Sequence, residues 1–308
     1  MATSALWVCF MSDALSPVGL LALISLLGVG SALRMPNVAA TVSELVPRNQ
    51  LTAALSLSSA VISGSRMIGP AIAGLLLSVA GVGGVLGINL ILLLLASIWL
   101  KQLPASGRQY DRLNWAAFKV SLIGGFRMMA ASREQRSLLL MTSTYAGSLA
   151  VIVALLPVLA SNTTQYGLMY SCYGAGAMCG AAGMATLRSN LALAPILRCA
   201  VLASVLALLV LAAVAYPVAQ GLALVVAGAS WVAVLNAAQV HAALALNDSQ
   251  RGRGLSFLFM AAIGGMALAS PIWGWLAKVY SVQLSFLLAS LVVGGLFLVY
   301  RFPSPSRV

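Results

Sequence analysis

Residues 55–76 read LSLSSAVISGSRMIGPAIAGLL, and residues 255–276, displaced by 200 positions, read LSFLFMAAIGGMALASPIWGWL. Six of the 22 aligned positions are identical: Leu55, Ser56, Gly64, Ile72, Gly74 and Leu76 match Leu255, Ser256, Gly264, Ile272, Gly274 and Leu276. Such a composition gives roughly two by chance. Proline recurs almost in register at Pro70 and Pro271. Each stretch is entered from an arginine-bearing turn, VPRNQL at 46–51 and SQRGRGL at 249–255, and each has one further apolar run behind it within its half. The pattern predicts an internally duplicated chain of apolar helices.

The composition around these stretches fixes their environment. Of 308 residues, 61% are apolar, with 17 Lys or Arg, 5 Asp or Glu and a single His. Charged residues make up 7% of the chain, against about a quarter in soluble domains. A soluble enzyme and a soluble DNA-binding domain are excluded, and a polytopic membrane protein is implied. The net charge of +12 does not point to nucleic acid, because basic loops between apolar spans are what membrane orientation requires.

A spanning helix needs about 20 apolar residues. Runs broken by charge, Gly and Pro predict a partial span at 1–13, then spans at 17–45, 51–79, 82–100, 137–160, 165–187, 192–216, 219–246, 254–278 and 282–300. Met1 to Leu15 have no basic segment ahead of them and read as a helix already under way rather than a cleaved leader. The chain divides into residues 1–100, a remnant of an N-terminal six-helix half; 101–136, a basic cytoplasmic linker; and 137–308, a C-terminal six-helix half. Within the linker, Trp115, Phe118, Leu122 and Phe126 fall at helical spacing, as in a helix lying along the membrane surface.

Fourteen of the 17 basic residues fall on one side of this arrangement: Arg48, the linker cluster from Lys101 to Arg136, Arg188 with Arg198, Arg251 with Arg253, and Arg301 with Arg307. The opposite loops hold only Lys278. The linker and the C-terminus are therefore expected in the cytoplasm. The halves are unequal, since 115 residues precede the second repeat within its half and 50 precede the first. The deficit corresponds to about two and a half helices, so the chain reads as a six-plus-six protein lacking its beginning. Duplication of this kind underlies many transporters, with the ligand site where the halves meet.

These residues resemble the major facilitator superfamily, specifically its bacterial exporter branch that includes enterobactin-type siderophore efflux proteins. The most specific parts are LLGVGSALRMPNVAATVSELVPRNQLTAALSL at 26–57, SGSRMIGPAIAGLL at 63–76, ALLPVLA at 154–160 and NDSQRGRGLSF at 247–257. Gly69, Pro70 and Gly74 are similar to the fifth-helix pattern associated with antiporters, with the last glycine one residue later than usual. The family's first two helices and the gating loop after the second have no counterpart, and GMATLRSNLALAPILR at 183–198 matches the corresponding second-half turn without an acidic partner. The resemblance implies an all-α major facilitator fold in the bacterial inner membrane, exporting a small molecule by alternating access, as a monomer when full length.

Arg66, near the middle of its span, is the leading substrate-binding candidate. An intramembrane charge costs several kcal/mol unless it faces a polar cavity, and guanidinium suits carboxylate, catecholate or aromatic ligands. Arg34 lies at a similar depth beside Pro36 and Asn37. The span 219–246 carries Trp231, Asn236 and Gln239, the last two on one helix face, and Tyr145, Tyr170 and Tyr173 are aromatic candidates. His241 sits toward the cytoplasmic end. Arg48, Arg251 and Arg253, with Gly69, Pro70 and Gly74, are expected to serve gating or structure. Gly176 and Gly180 form a GxxxG pair for close helix packing.

No acid falls at mid-membrane depth: Asp13 lies near the outer surface, and Glu44, Asp111, Glu134 and Asp248 lie at or near the cytoplasm. No proton carrier is visible; exporters of this superfamily often use an acidic residue in first-half helices, so the front that the pattern lacks could have held one. Asn162, Thr163 and Thr164 form a glycosylation sequon without meaning in a bacterial protein. Cys9, Cys172, Cys179 and Cys199 read as packing residues, and no metal site, cofactor, phosphate loop or nucleophile-base pair is expected, hence no enzyme. The expected function is export of small amphipathic or anionic compounds, siderophores or drugs. The rival is a truncated or non-transporting membrane protein without a closed cavity, because two missing helices would expose polar faces to lipid.

Overall fold

The computed structural model describes residues 2–12, 16–28, 30, 51–102, 132–190, 193–246 and 248–299. Among them are nine helices: α1 (Ala2–Met11), α2 (Pro17–Gly28), α3 (Leu51–Lys101), α4 (Arg133–Leu159), α5 (Thr163–Asn190), α6 (Leu193–Ala213), α7 (Pro217–Ala245), α8 (Asp248–Val279) and α9 (Val282–Val299). The described residues form no strand. In hydrocarbon a helix pairs its own backbone groups, which is why apolar runs of this length adopt it. Five segments are long and apolar enough to cross a membrane: Val79–Lys101, Arg133–Leu159, Ala194–Ala213, Pro217–Ala242 and Gly254–Val279. α5 has the length, but its Gly, Ser and Tyr content lowers its hydropathy.

Contacts divide the chain into two compact units, Met1–Ser65 with Ala71–Tyr110, and Arg66–Pro70 with Asp111–Val308. In the first unit, α3 contains a break at Gly81, with φ 65° and ψ −179°. The predicted boundary between spans 51–79 and 82–100 falls on this residue. Such a conformation is close to exclusive to glycine, and another residue held there costs on the order of 1–3 kcal/mol. Gly81→Ala is therefore expected to lower the thermal unfolding midpoint of the purified protein; an unchanged midpoint would show that the break relaxes at no cost. Trp7 of α1 donates its indole N–H to the Gly83 carbonyl at 3.1 Å, fastening α1 to the second arm of α3.

The second unit contains α4 to α9, built around two helix pairs whose backbones touch. In the first pair, α4 against α8, a Cβ on Gly147 would lie 3.0 Å from the Gly265 carbonyl oxygen. Trp273 Nε1–H donates to the carbonyl of Gly147 at 2.7 Å, a buried tie between the same helices. In the second pair, α5 against α7, Gly176 and Gly180 approach the Val225 and Ala229 carbonyls while Gly228 approaches that of Tyr173. The GxxxG pair read from the sequence is thus an interhelical contact, since small residues admit the close approach that dispersion between membrane helices depends on. α6 packs on α7 and α9, and α9 also packs on α4, closing the unit. Its core includes Leu149, Ile152, Leu155, Leu208, Leu224 and Phe286, each at most 2% exposed.

Four serines inside the unit are satisfied on their own helices. Ser148, Ser204, Ser270 and Ser285 donate to carbonyls four residues earlier on their own helices. At the start of α5, Asn162 Oδ1 accepts from the Gln165 N–H and Gln165 Oε1 accepts from the Ser161 N–H, each at 2.8 Å. This reciprocal cap satisfies donors that a helix start leaves free, which gives Asn162 a structural reason independent of the sequon.

Candidate functional site

The middles of three helices converge in the second unit. Tyr145 of α4 is 2% exposed, and its hydroxyl lies 2.7 Å from Ser204 Oγ of α6. Ser204 is itself fully buried and donates to the Ala200 carbonyl at 2.9 Å. Each hydroxyl has one proton, so the network runs in one direction: Tyr145 donates to Ser204, and Ser204 to its own helix. Against Tyr145 lies the ring of Trp231 of α7, with centroids 6.3 Å apart and planes 9° from parallel, an offset stack of the kind aromatic quadrupoles favour. Trp231 is half-buried and makes no hydrogen bond among the described residues.

About one and a half to three turns along α7 from Trp231 come Asn236, Gln239 and His241. Asn236 Oδ1 is shielded from solvent and has no hydrogen-bond partner. On α4, Gln135 Oε1 and Thr142 Oγ1 are likewise unpartnered in side chains that are 4% and 2% exposed. A buried polar atom left unmatched costs about 1–3 kcal/mol, so these positions are where a ligand or water would be held. A second aromatic group runs along α5, where Tyr166, Tyr170 and Tyr173 follow one another at 6.1 and 6.2 Å between centroids.

At the end of α4 that carries Arg133 and Arg136, His241 Nε2 lies 2.9 Å from Glu134 Oε1, joining α7 to α4. The ring N–H is not aligned for a hydrogen bond, so the pair attracts only when the imidazole is protonated. Below it Leu138, Met141, Ala238, Ala242 and Leu258 form a small apolar cluster. Glu134 is half exposed, and such a pair is worth no more than about 1 kcal/mol. Glu134→Gln and His241→Gln are expected to lower thermal stability slightly, and the double variant no further than either alone. Additive losses in calorimetry would show that the two side chains act separately.

Of the residues singled out in the sequence, Tyr145 and Trp231 are in contact, and Asn236 and Gln239 lie on the same helix beyond them. Arg34 and Arg48 lie outside the described residues. Arg66, Pro70 and Gly74 are on α3 and Arg251 and Arg253 in the first turns of α8, with side chains outside the described set. Gly69 is exposed, and a Cβ there would meet open space. Ser204 was not singled out, and neither was the Glu134 partner of His241. Among the described residues no group of three His, Cys, Asp or Glu side chains could hold a metal ion, and the four cysteines are unpaired.

The described residues, helical apart from short connections and with five helices apolar enough to span a membrane, fit the family match below, which makes the chain a membrane transporter of the major facilitator class. The chain belongs to the transmembrane secretion effector family, whose sequence model matches residues 1–307. No curated protein matches it.

Proposed function

We propose that the protein exports small amphipathic or anionic compounds, siderophores or drugs, across the bacterial inner membrane by alternating access. The observation that carries this reading is the cluster near the helix middles of the second unit. Unmatched Asn236 Oδ1, half-buried Trp231 and Gln239 give one helix both an aromatic surface and polar groups in need of partners. Tyr145, enclosed behind Trp231, contributes by supporting that ring. Arg66 and Arg34, the two basic residues placed deep in the spans by sequence, supply the attraction for an anion. Gly69, Pro70 and Gly74, with Arg48, Arg251 and Arg253, serve gating and structure at the ends of the moving elements. The linker and C-terminus face the cytoplasm under the positive-inside rule. Coupling to protons would fit an exporter of this class.

The test is efflux from whole cells. Cells preloaded with radiolabelled 2-naphthoate, an aromatic anion, are expected to lose it several-fold faster when they express the protein than when they carry an empty vector. Equal rates for 2-naphthoate and for a catecholate probe alike would overturn the reading.

A further inference from the structure

Among the described residues, four of the five tryptophans fall into two kinds. Trp7 and Trp273 each donate N–H to a glycine carbonyl on another helix segment, Gly83 and Gly147. Trp99 and Trp275, 75% and 58% exposed, lie toward helix ends, where amphipathic rings meet the membrane interface. Trp231 fits neither kind. It lies near the middle of α7, half-buried, its N–H without a hydrogen-bond partner among the described residues, while its ring is stacked on Tyr145. A buried or membrane-embedded indole N–H ordinarily finds an acceptor.

We infer that Trp231 is an anchor for planar aromatic ligands carrying a hydrogen-bond acceptor, and that Ser204 is the positioning residue that holds the anchor in place through Tyr145. The inference rests on the transporter reading and narrows its substrate class. Trp231 offers a ligand a π surface and one donor. Tyr145, which a ligand does not reach at 2% exposure, backs the indole with a near-parallel ring. Core packing sets the plane of the Tyr145 ring, and its hydroxyl is held in addition at 2.7 Å by Ser204. Ser204 in turn is fixed by its bond to the Ala200 carbonyl. The chain of contacts therefore starts on the backbone of α6, passes through α4 and ends on α7, so the indole is presented in one orientation before any ligand arrives. Such preorganisation reduces the ordering cost of binding.

The test uses the purified full chain in lipid nanodiscs and two anions of matched size, 2-naphthoate and its saturated counterpart decahydro-2-naphthoate, measured by calorimetry. The wild type is expected to prefer the aromatic anion. Trp231→Leu should abolish that preference, and Trp231→Phe, which keeps a ring but removes the donor, should weaken 2-naphthoate binding about tenfold. Ser204→Ala and Tyr145→Phe should each weaken it about fivefold, and the double variant no further, because either change breaks the same contact. Binding of the saturated anion, which can use the donor but not the π surface, should fall by less in both, which a merely structural role would not give. Equal wild-type affinity for the two anions would overturn the inference, as would equal losses for both anions in Ser204→Ala. Undiminished 2-naphthoate binding by Trp231→Phe would overturn it as well. If the anchor fails while expressing cells still expel a catecholate probe, the transporter reading stands without it. If expressing cells expel neither probe, that reading falls first.

Discussion

Gly176→Leu is expected to leave almost no folded protein in the membrane. A Cβ on Gly176 falls on the Val225 carbonyl, and one on Gly228 falls on the Tyr173 carbonyl, so both obstacles are backbone atoms that cannot swing aside. A Cβ on Gly180 would stand 2.7 Å from the Ala229 carbonyl oxygen. A leucine at position 176 therefore forces α5 from α7 along their whole contact. Membrane helices have no hydrophobic force to return them, since lipid tails are as apolar as the side chains. Overpacking of ordinary cores costs about 1–3 kcal/mol, and separation of two backbones exceeds that because every neighbouring contact lengthens as well. Gly183, on the same helix, has nothing within 4 Å of its Cβ position. Gly183→Leu is accordingly expected to be tolerated. The check is the monodisperse yield of each variant on size exclusion after extraction, where equal yields for the two would contradict the packing argument.

Arg66→Ala is expected to lower export about tenfold or more while membrane content stays near the wild-type level, if Arg66 holds the substrate anion. The reasoning is electrostatic. An arginine deep in a span is retained only where a polar cavity, a partner or a ligand offsets the several kcal/mol of placing it there. No acid was read at mid-membrane depth to pair with it. Removing the charge relieves that cost, so the folded protein should not suffer, whereas a ligand carboxylate loses its bidentate partner. Arg66→Lys separates two versions of the role: a site that needs only charge keeps most of its activity, and one that needs the planar fork loses most of it. Normal export by Arg66→Ala would remove Arg66 from the site.

Much of the fold could be read in advance because membrane helices announce themselves by length and apolarity. The span placed at 165–187 corresponds to α5, Thr163–Asn190, and the boundary near Gly81 coincides with the one positive φ among the described residues. Gly176 and Gly180 were legible as a packing face because only small residues at that spacing let two helices touch. The site was legible in part. Trp231 and Asn236 stand out as a bulky aromatic and an amide in an apolar run. Ser204 does not, because a serine in such a run usually serves its own helix, as this one also does through Ala200. Its second role depends on Tyr145, 59 residues away, and no local pattern records that pairing. The contact between Glu134 and His241 was hidden for the same reason, since each looks like a polar residue near a helix end until α4 and α7 are set side by side.

The central claim is that this chain moves a small molecule across a bilayer. Purified protein reconstituted into liposomes loaded with unlabelled 2-naphthoate tests it by counterflow of the labelled compound from outside. Transient accumulation of label above that in protein-free liposomes, lost on Arg66→Ala, is the result expected. Uptake no greater than in protein-free liposomes, with correctly folded protein present and with a catecholate probe equally inert, would contradict the account.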